Sequence, residues 1–158
     1  IKKIMANLAW GKPKIRITEL DPTTGQPAAG ATPIIITDIV AGSTQLTTTK
    51  GTVREAPLEG GGFADKAYNR NTYALEFELY ASKGKTKPVE DVDGVVSGQY
   101  KIELQPEDPT VEGIVINKSI LSVEDTYSAE IGTKWKYTAD VLAPETGSSI
   151  SFEVVTFT

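Results

Sequence analysis

The sequence contains no cysteine and no histidine. Without cysteine the chain can form no disulfide, and it offers no thiolate as a nucleophile or metal ligand. Without histidine it cannot build a Ser-His-Asp triad, and the usual zinc, haem and iron–sulfur sites lose their common ligands. Because most of the familiar enzyme chemistry is removed, we expect a protein that is not an enzyme and that carries no metal or cofactor.

Long apolar runs are also missing. The longest aliphatic stretch, Ile34–Ile36 followed by Ile39 and Val40, is far shorter than the roughly 20 residues of a membrane-spanning helix. The first residues do not resemble a signal peptide, because Lys2 and Lys3 are followed by no apolar segment. We therefore expect no membrane contact and synthesis in the cytoplasm.

Basic residues are too few for a typical nucleic-acid-binding protein. Sixteen lysines and arginines stand against 21 acidic residues, a net charge of -5, so the chain has no surplus with which to neutralise phosphates. Residues 1–54 carry seven basic and three acidic groups, whereas residues 55–158 carry nine basic and eighteen acidic groups. Such a dipolar chain can meet copies of itself head to tail, although ordinary scatter of surface charge explains the same asymmetry.

The residues that are present indicate a single all-β domain. Threonine occurs 19 times among the 158 residues, and apolar residues alternate with polar ones, as strands require. In Thr72–Tyr80, the clearest strand, Leu75, Phe77 and Leu79 lie on one face while Glu76 and Glu78 lie on the other. This alternation predicts an antiparallel strand with one buried face and one solvated face.

Seven further segments follow the same pattern and end at turn residues. They are Lys14–Thr18, Pro33–Val40, Gln45–Arg54, Gln99–Gln105, Gly113–Val123, Lys134–Leu142 and Ile150–Phe157. About eight strands in one chain without a linker predict a single-domain antiparallel β-sandwich or partly closed barrel spanning residues 1–158. At most one short helix is expected, over Ser122–Glu130, where apolar side chains recur at helical spacing.

A long glycine-rich connection, Ala56–Asn71, separates two of these segments and shows no periodicity. Compact domains seldom contain such a loop without a functional reason, so we expect an arm that becomes ordered on a partner. Its candidate contact residues are Glu59, Gly60, Gly61, Gly62, Phe63, Asp65, Lys66 and Arg70. Residues 1–12 are expected to form a second arm.

Other constellations carry weaker signals. Glu90, Asp91 and Asp93 offer oxygen ligands of the kind that Ca²⁺ prefers, but they lack the spacing and the final glutamate of an EF-hand loop. Trp10 could stack on a sugar ring, whereas Trp135 shares the predicted inward face of its strand. Neither pattern indicates a metal or catalytic site.

Three stretches resemble the tail tube proteins of tailed bacteriophages and the related tubes of injection machines. They are Glu59–Lys66, Tyr73–Tyr80, and Asp125–Glu130 with the Lys134–Thr138 segment that follows it. The resemblance implies a virion protein, made in the bacterial host cytoplasm, whose copies form stacked hexameric rings and contact other virion proteins.

The same resemblance implies a role for particular residues. Glu76, Glu78 and Glu103 would line a lumen through which DNA passes without being bound, and Ala56–Asn71 would cross to the next protomer or ring. Lys101 shares the outward face of Glu103, which argues against a uniformly negative wall.

Two alternative interpretations stay open, and an enzyme that uses a pair of carboxylates is a third. The same type of fold serves other virion proteins, such as capsid decoration or tail-completion proteins. A carbohydrate-binding β-sandwich could instead use Trp10 or exposed tyrosines such as Tyr68 and Tyr80.

Overall fold

A computed structural model describes residues 8–144 and 146–157. In these residues the chain forms ten β-strands and no helix, so the predicted all-β class is confirmed. The first seven residues of the expected N-terminal arm lie outside the described part. The strands are β1 (Lys14–Glu19), β2 (Ile34–Ile36), β3 (Gln45–Thr49), β4 (Val53–Pro57), β5 (Phe63–Tyr68), β6 (Thr72–Tyr80), β7 (Tyr100–Gln105), β8 (Gly113–Ser128), β9 (Gly132–Val141) and β10 (Ile150–Glu153).

Eight strands form one antiparallel sheet in the order β2-β1-β7-β8-β9-β6-β3, and β10 pairs with β8. Although β7, β8 and β9 lie between β1 and β6 in this order, Ile15 and Ile17 of β1 share one core cluster with Leu75 and Phe77 of β6. The sheet therefore curls over, and its two halves enclose the core. Its terminal strands β2 and β3 do not pair, so the barrel is not closed.

Strand β8 joins the two halves of the sheet. Its first part pairs with β7 and β10, and its second part, from Ser119 to Ser128, pairs with β9. A register shift opposite Tyr100 separates the two parts, and the buried positions change from Ile116 before the shift to Leu121 and Val123 after it. A β-bulge has this effect because an additional residue bends the strand and reverses its alternation.

The short helix expected over Ser122–Glu130 is wrong. Residues up to Ser128 continue β8, and a turn leads directly into β9. The ladder from Ser119↔Val141 to Ser128↔Gly132 satisfies the backbone of this segment. Val123 and Thr126 are β-branched and also favour a strand, so the apparent helical spacing has no structural consequence.

The predicted strand Gln45–Arg54 is divided into β3 and β4. The break lies at Gly51, where a Cβ atom would clash with the carbonyl oxygen of Asn69. Val53, which follows the break, is exposed. The expected strand Pro33–Val40 is also shorter, because only Ile34–Ile36 pairs with β1 as a strand.

The centre of the core is an aromatic pair on neighbouring strands. The rings of Phe77 and Tyr137 stack with centroids 5.4 Å apart and an angle of 11° between them, and both side chains are fully buried. The Tyr137 hydroxyl donates a hydrogen bond of 2.9 Å to the carbonyl of Val89, and burial raises the pKa of Tyr137 to about 12. Through this hydrogen bond to Val89, Tyr137 fixes the connection formed by residues 83–97 to the sheet.

Charged residues hold the same connection from outside. Lys87 Nζ lies 2.8 Å from a carboxylate oxygen of Asp91 and 2.8 Å from one of Asp125. The other Asp91 oxygen accepts a hydrogen bond of 2.8 Å from the Gly94 amide. The hydrogen bond from Lys87, followed by that from Gly94, lowers the pKa of Asp91. Asp91, a calcium candidate in the sequence, is therefore bound within its own loop.

Phe77→Ala should lower the free energy of unfolding by about 3–5 kcal/mol, since it opens a cavity beside Tyr137. Tyr80→Ala, three residues along the same strand, removes a half-exposed aromatic ring and should cost much less. Urea denaturation of both variants measures the difference. Equal losses would contradict the assignment of Phe77 to the centre of the core.

Asp91 should make the free energy of unfolding depend on pH in the acidic range. Because folding lowers the pKa of Asp91, its contribution is complete above the ordinary carboxyl pKa of 3.8 and is lost as the pH falls below it. Asp91→Asn should therefore flatten the pH dependence of the unfolding free energy below about pH 4.

Asp93→Asn in the same loop is the matched control, because asparagine accepts the positive φ of that residue. Denaturation curves at several pH values compare the two variants. A pH dependence that Asp91→Asn leaves unchanged would rule out the Lys87 contact as its source.

Candidate functional site

The glycine-rich connection expected to be structureless is a β-hairpin. Strands β4 and β5 pair only with each other and form a separate two-stranded sheet. Every residue from Val53 to Tyr68 is exposed. A two-stranded hairpin is marginally stable by itself in water. We therefore expect a partner surface to cover and stabilise this projection.

One face of the hairpin carries apolar residues at both ends and charges in the middle. The cross-strand pairs on this face are Val53↔Tyr68, Glu55↔Lys66 and Pro57↔Phe63. Lys66 Nζ lies 3.7 Å from Glu55 Oε1 and 4.3 Å from the centroid of the Phe63 ring. The face is amphipathic and fully accessible, as a contact surface must be.

The glycine run forms the tip of the hairpin. Gly60 and Gly61 have φ values of +90° and +98°, which side chains with a Cβ rarely adopt. The Leu58 amide donates a hydrogen bond of 2.8 Å to the Gly62 carbonyl and closes the turn. The run is therefore a defined turn, and it presents Leu58 and Glu59 at the outer end of the projection.

Polar contacts close the base of the hairpin, where its two chain segments meet. The Asn69 amide donates to the Thr52 carbonyl at 2.8 Å, and the Gly51 amide donates to Asn71 Oδ1 at 3.0 Å. Arg70 lies exposed in this base. The eight residues that the sequence singled out thus share one projection, although as a hairpin rather than a loop.

The two acidic candidates on β6 lie on its outward face, as the alternation predicted. Each has a lysine diagonally opposite on β9: Glu76 Oε2 is 3.7 Å from Lys136 Nζ, and Glu78 Oε2 is 3.7 Å from Lys134 Nζ. The face is therefore of mixed charge. The outward position of both lysines was predictable from the sequence, because they alternate with Trp135, which was predicted to face inward and is buried.

Glu103 does not adjoin the other two acidic candidates. It lies on β7, and both β8 and β9 separate that strand from β6. Its carboxylate forms a bidentate contact with Arg16, Nε to Oε1 at 3.2 Å and Nη2 to Oε2 at 2.5 Å. Only 14% of the Glu103 side chain and 19% of the Arg16 side chain are exposed.

The C-terminal segment covers this ion pair. The Arg16 guanidinium carbon lies 4.9 Å from the centroid of the Phe157 ring, and Gln105 Nε2 donates 2.9 Å to the Val155 carbonyl. Glu103 therefore has a structural partner and a cover, and it is a poor candidate for an open wall.

The aromatic residues suggested for sugar binding belong to different parts of the molecule. Trp10 is exposed, Tyr68 lies on the hairpin that precedes β6, and Tyr80 lies at the far end of β6. Tyr68 and Tyr80 therefore do not form one flat platform of the kind that stacks on sugars.

Comparison with known proteins adds no assignment: no protein-family model matches the chain, and no curated protein matches its sequence. Across residues 8–144 and 146–157 there is no helix long and apolar enough to cross a membrane. The same residues include no cluster of three or more carboxylates placed to hold a metal ion.

Glu103→Gln should destabilise the protein by about 2–3 kcal/mol, because it removes a charged hydrogen-bond acceptor from Arg16 in a largely covered position. Glu76→Gln should cost less than about 1 kcal/mol, since its lysine partner is 3.7 Å away and both side chains are about one-third exposed. Chemical denaturation of the two isosteric variants tests the contrast. A larger loss of unfolding free energy for Glu76→Gln than for Glu103→Gln would contradict the assignment of Glu103 to a covered ion pair and Glu76 to a solvated one.

Proposed function

We propose that the chain is a structural subunit that assembles with copies of itself into rings and tubes of the tail-tube type. The observation that carries the proposal is the β4–β5 hairpin, in which every residue is exposed and neither strand pairs with the main sheet. Holding such a segment in one conformation costs conformational entropy, and burial of its surface against a partner offsets that cost.

A hairpin that projects from one side favours a heterologous contact. In the proposed assembly its complement is a different surface of the next copy, so that every chain offers one hairpin and one surface that receives it. Heterologous contacts produce rings when the rotation between copies closes, and an axial contact of the same kind extends rings into a tube. The hexameric number comes from the family resemblance.

The half of the sheet that contains β6 and β9 carries different structures at its two ends, as head-to-tail stacking requires. The hairpin leaves the end at Thr72, whereas the β8–β9 turn lies at the opposite end. That turn carries Tyr127, 77% exposed, and Ile131, 53% exposed. An apolar surface at the end away from the hairpin supports contact between unlike ends of successive subunits.

For the lumen we propose the outward face of β3, β6, β9 and the second part of β8. The pairing register places four carboxylates and two lysines on this face, namely Glu76, Glu78, Glu124, Asp140, Lys134 and Lys136. A weakly negative wall neither binds phosphates strongly nor holds DNA in place. We exclude Glu103 from the lining because Arg16 and the C-terminal segment cover it.

Capsid decoration or tail completion would use the same hairpin on a different partner. A subunit of that kind would show no concentration-dependent tube formation by itself. The oligomeric state of the purified chain therefore separates these roles from the proposed one.

Replacing residues 50–71 with Asn-Gly should abolish assembly and leave the fold intact. Thr49 and Thr72 are directly opposite in the β3–β6 ladder, and Asn-Gly is a favoured two-residue turn between antiparallel strands. Negative-stain electron microscopy and light scattering over a concentration series should show rings or tubes for the unaltered chain and monomers for the shortened one.

Thermal denaturation of the monomers controls for folding, and the two melting temperatures should agree within a few degrees. Tyr68→Ala on the hairpin and Tyr80→Ala on the domain form a matched pair, of which only Tyr68→Ala should weaken assembly. An unaltered chain that stays monomeric at every concentration contradicts the proposed function.

A further inference from the structure

An apolar cavity lies between the two halves of the curled sheet. Its volume is about 580 Å³, and its walls include Leu46 and Leu75 from one half of the sheet and Leu104 and Ile114 from the other. We call it the seam cavity. Closed protein interiors are packed without spaces of this size, so the cavity has room for several side chains from outside.

A polar atom in the wall lacks a partner. The Thr44 hydroxyl oxygen is shielded from solvent, and among the described residues nothing accepts or donates a hydrogen bond to it. A shielded hydroxyl without a partner is costly and uncommon in native structures. Because the atom is shielded in the free chain, a polar group that arrives with the occupant of the cavity reaches it once the Thr44 side chain rotates.

One charged side chain, Lys12, lines the cavity, and no carboxylate belongs to the lining. The Glu107 carboxylate lies beside it and accepts a hydrogen bond of 3.3 Å from the Lys12 amide. The N-terminal third of the chain, from which Lys12 and Thr44 come, also carries the basic surplus found in the sequence. An occupant with an apolar surface and a single acidic group is complementary to this site.

The hairpin tip offers an apolar surface, an acidic side chain and free backbone polar groups. Leu58 and Phe63 are 56% and 47% exposed, and Glu59 lies between them in the chain. The glycine turn has backbone groups without internal partners, because its internal bonds join only Leu58 to Gly61 and Gly62. The tip of the same molecule does not fill its own cavity, since all of its residues are exposed.

We propose that the hairpin tip of one copy docks in the seam cavity of another. Leu58 and Phe63 enter between the two halves of the sheet, Glu59 approaches Lys12, and the turn backbone hydrogen-bonds to the Thr44 hydroxyl. This contact rests on the proposed self-assembly and specifies the surface that receives the hairpin. It also makes the interface heterologous, with a knob and a cavity on every copy.

The absence of cysteine from the chain allows a direct test by disulfide trapping. Phe63→Cys places one thiol at the tip, and Ala41→Cys places one at the exposed mouth of the cavity. When the two single variants are mixed at assembling concentrations and oxidised mildly, a disulfide-linked heterodimer should be the main product on a non-reducing gel. Disulfide formation requires Cβ atoms within about 4.5 Å, so it reports direct docking.

Mixing Phe63→Cys with Thr23→Cys, which lies in an exposed turn outside the cavity, gives the background from random collision. Assembly is measured in parallel by electron microscopy of the reduced variants. Tubes without enrichment of the Phe63–Ala41 product over this background would overturn the docking site and leave the proposed function standing. Monomers alone, with no enrichment, would overturn both.

Thr44→Val provides a second, independent readout. It keeps the shape of the side chain and removes the hydroxyl that lacks a partner, so the monomer should melt at the same temperature or higher. Loss of the hydrogen bond to the incoming turn should nevertheless weaken association about fivefold. Unchanged association, measured by light scattering across a dilution series, would overturn the contact with Thr44.

Discussion

The curl of the sheet around the Phe77–Tyr137 stack is the constraint on which the remaining structure depends. Two strand halves can cover the same buried rings only if β8 bends, and the register shift opposite Tyr100 supplies that bend. The curl brings β1 and β6 to one core without pairing β2 with β3. The seam cavity lies between the same two halves of the sheet, so the packing of the core and the proposed docking site have a common origin.

The hairpin and the sheet differ in how they are stabilised. The sheet buries one face of nearly every strand, whereas β4 and β5 bury nothing within their own chain. A domain that satisfies its own core can carry a marginal projection at little cost, because the two share few contacts. In the proposed assembly the projection gains its stability from a neighbouring copy, which couples order in the hairpin to association.

Strand alternation made much of the fold predictable. Thr72–Tyr80 coincides with β6, and the residues predicted to face inward there, Leu75, Phe77 and Leu79, are buried. Prediction failed where tertiary contacts outweigh local pattern: the ladder with β9 overrides the helical spacing after Ser122, and the close approach at Gly51 divides one expected strand. The hairpin residues were recognised but not their pairing, because exposed strands lack the apolar alternation by which strands are detected.

The amino-acid sequence by itself determined the all-β class, the exclusion of cysteine and histidine chemistry, and the outward placement of Glu76 and Glu78, since each depends on composition or on the two-residue period of a strand. Only the tertiary structure decided that Glu103 is covered with Arg16, that lysines pair with Glu76 and Glu78 on the acidic face, and that Leu46 and Leu104 share a cavity. These relations join residues far apart in the chain, and strand order and curvature, which no local period encodes, set their distances.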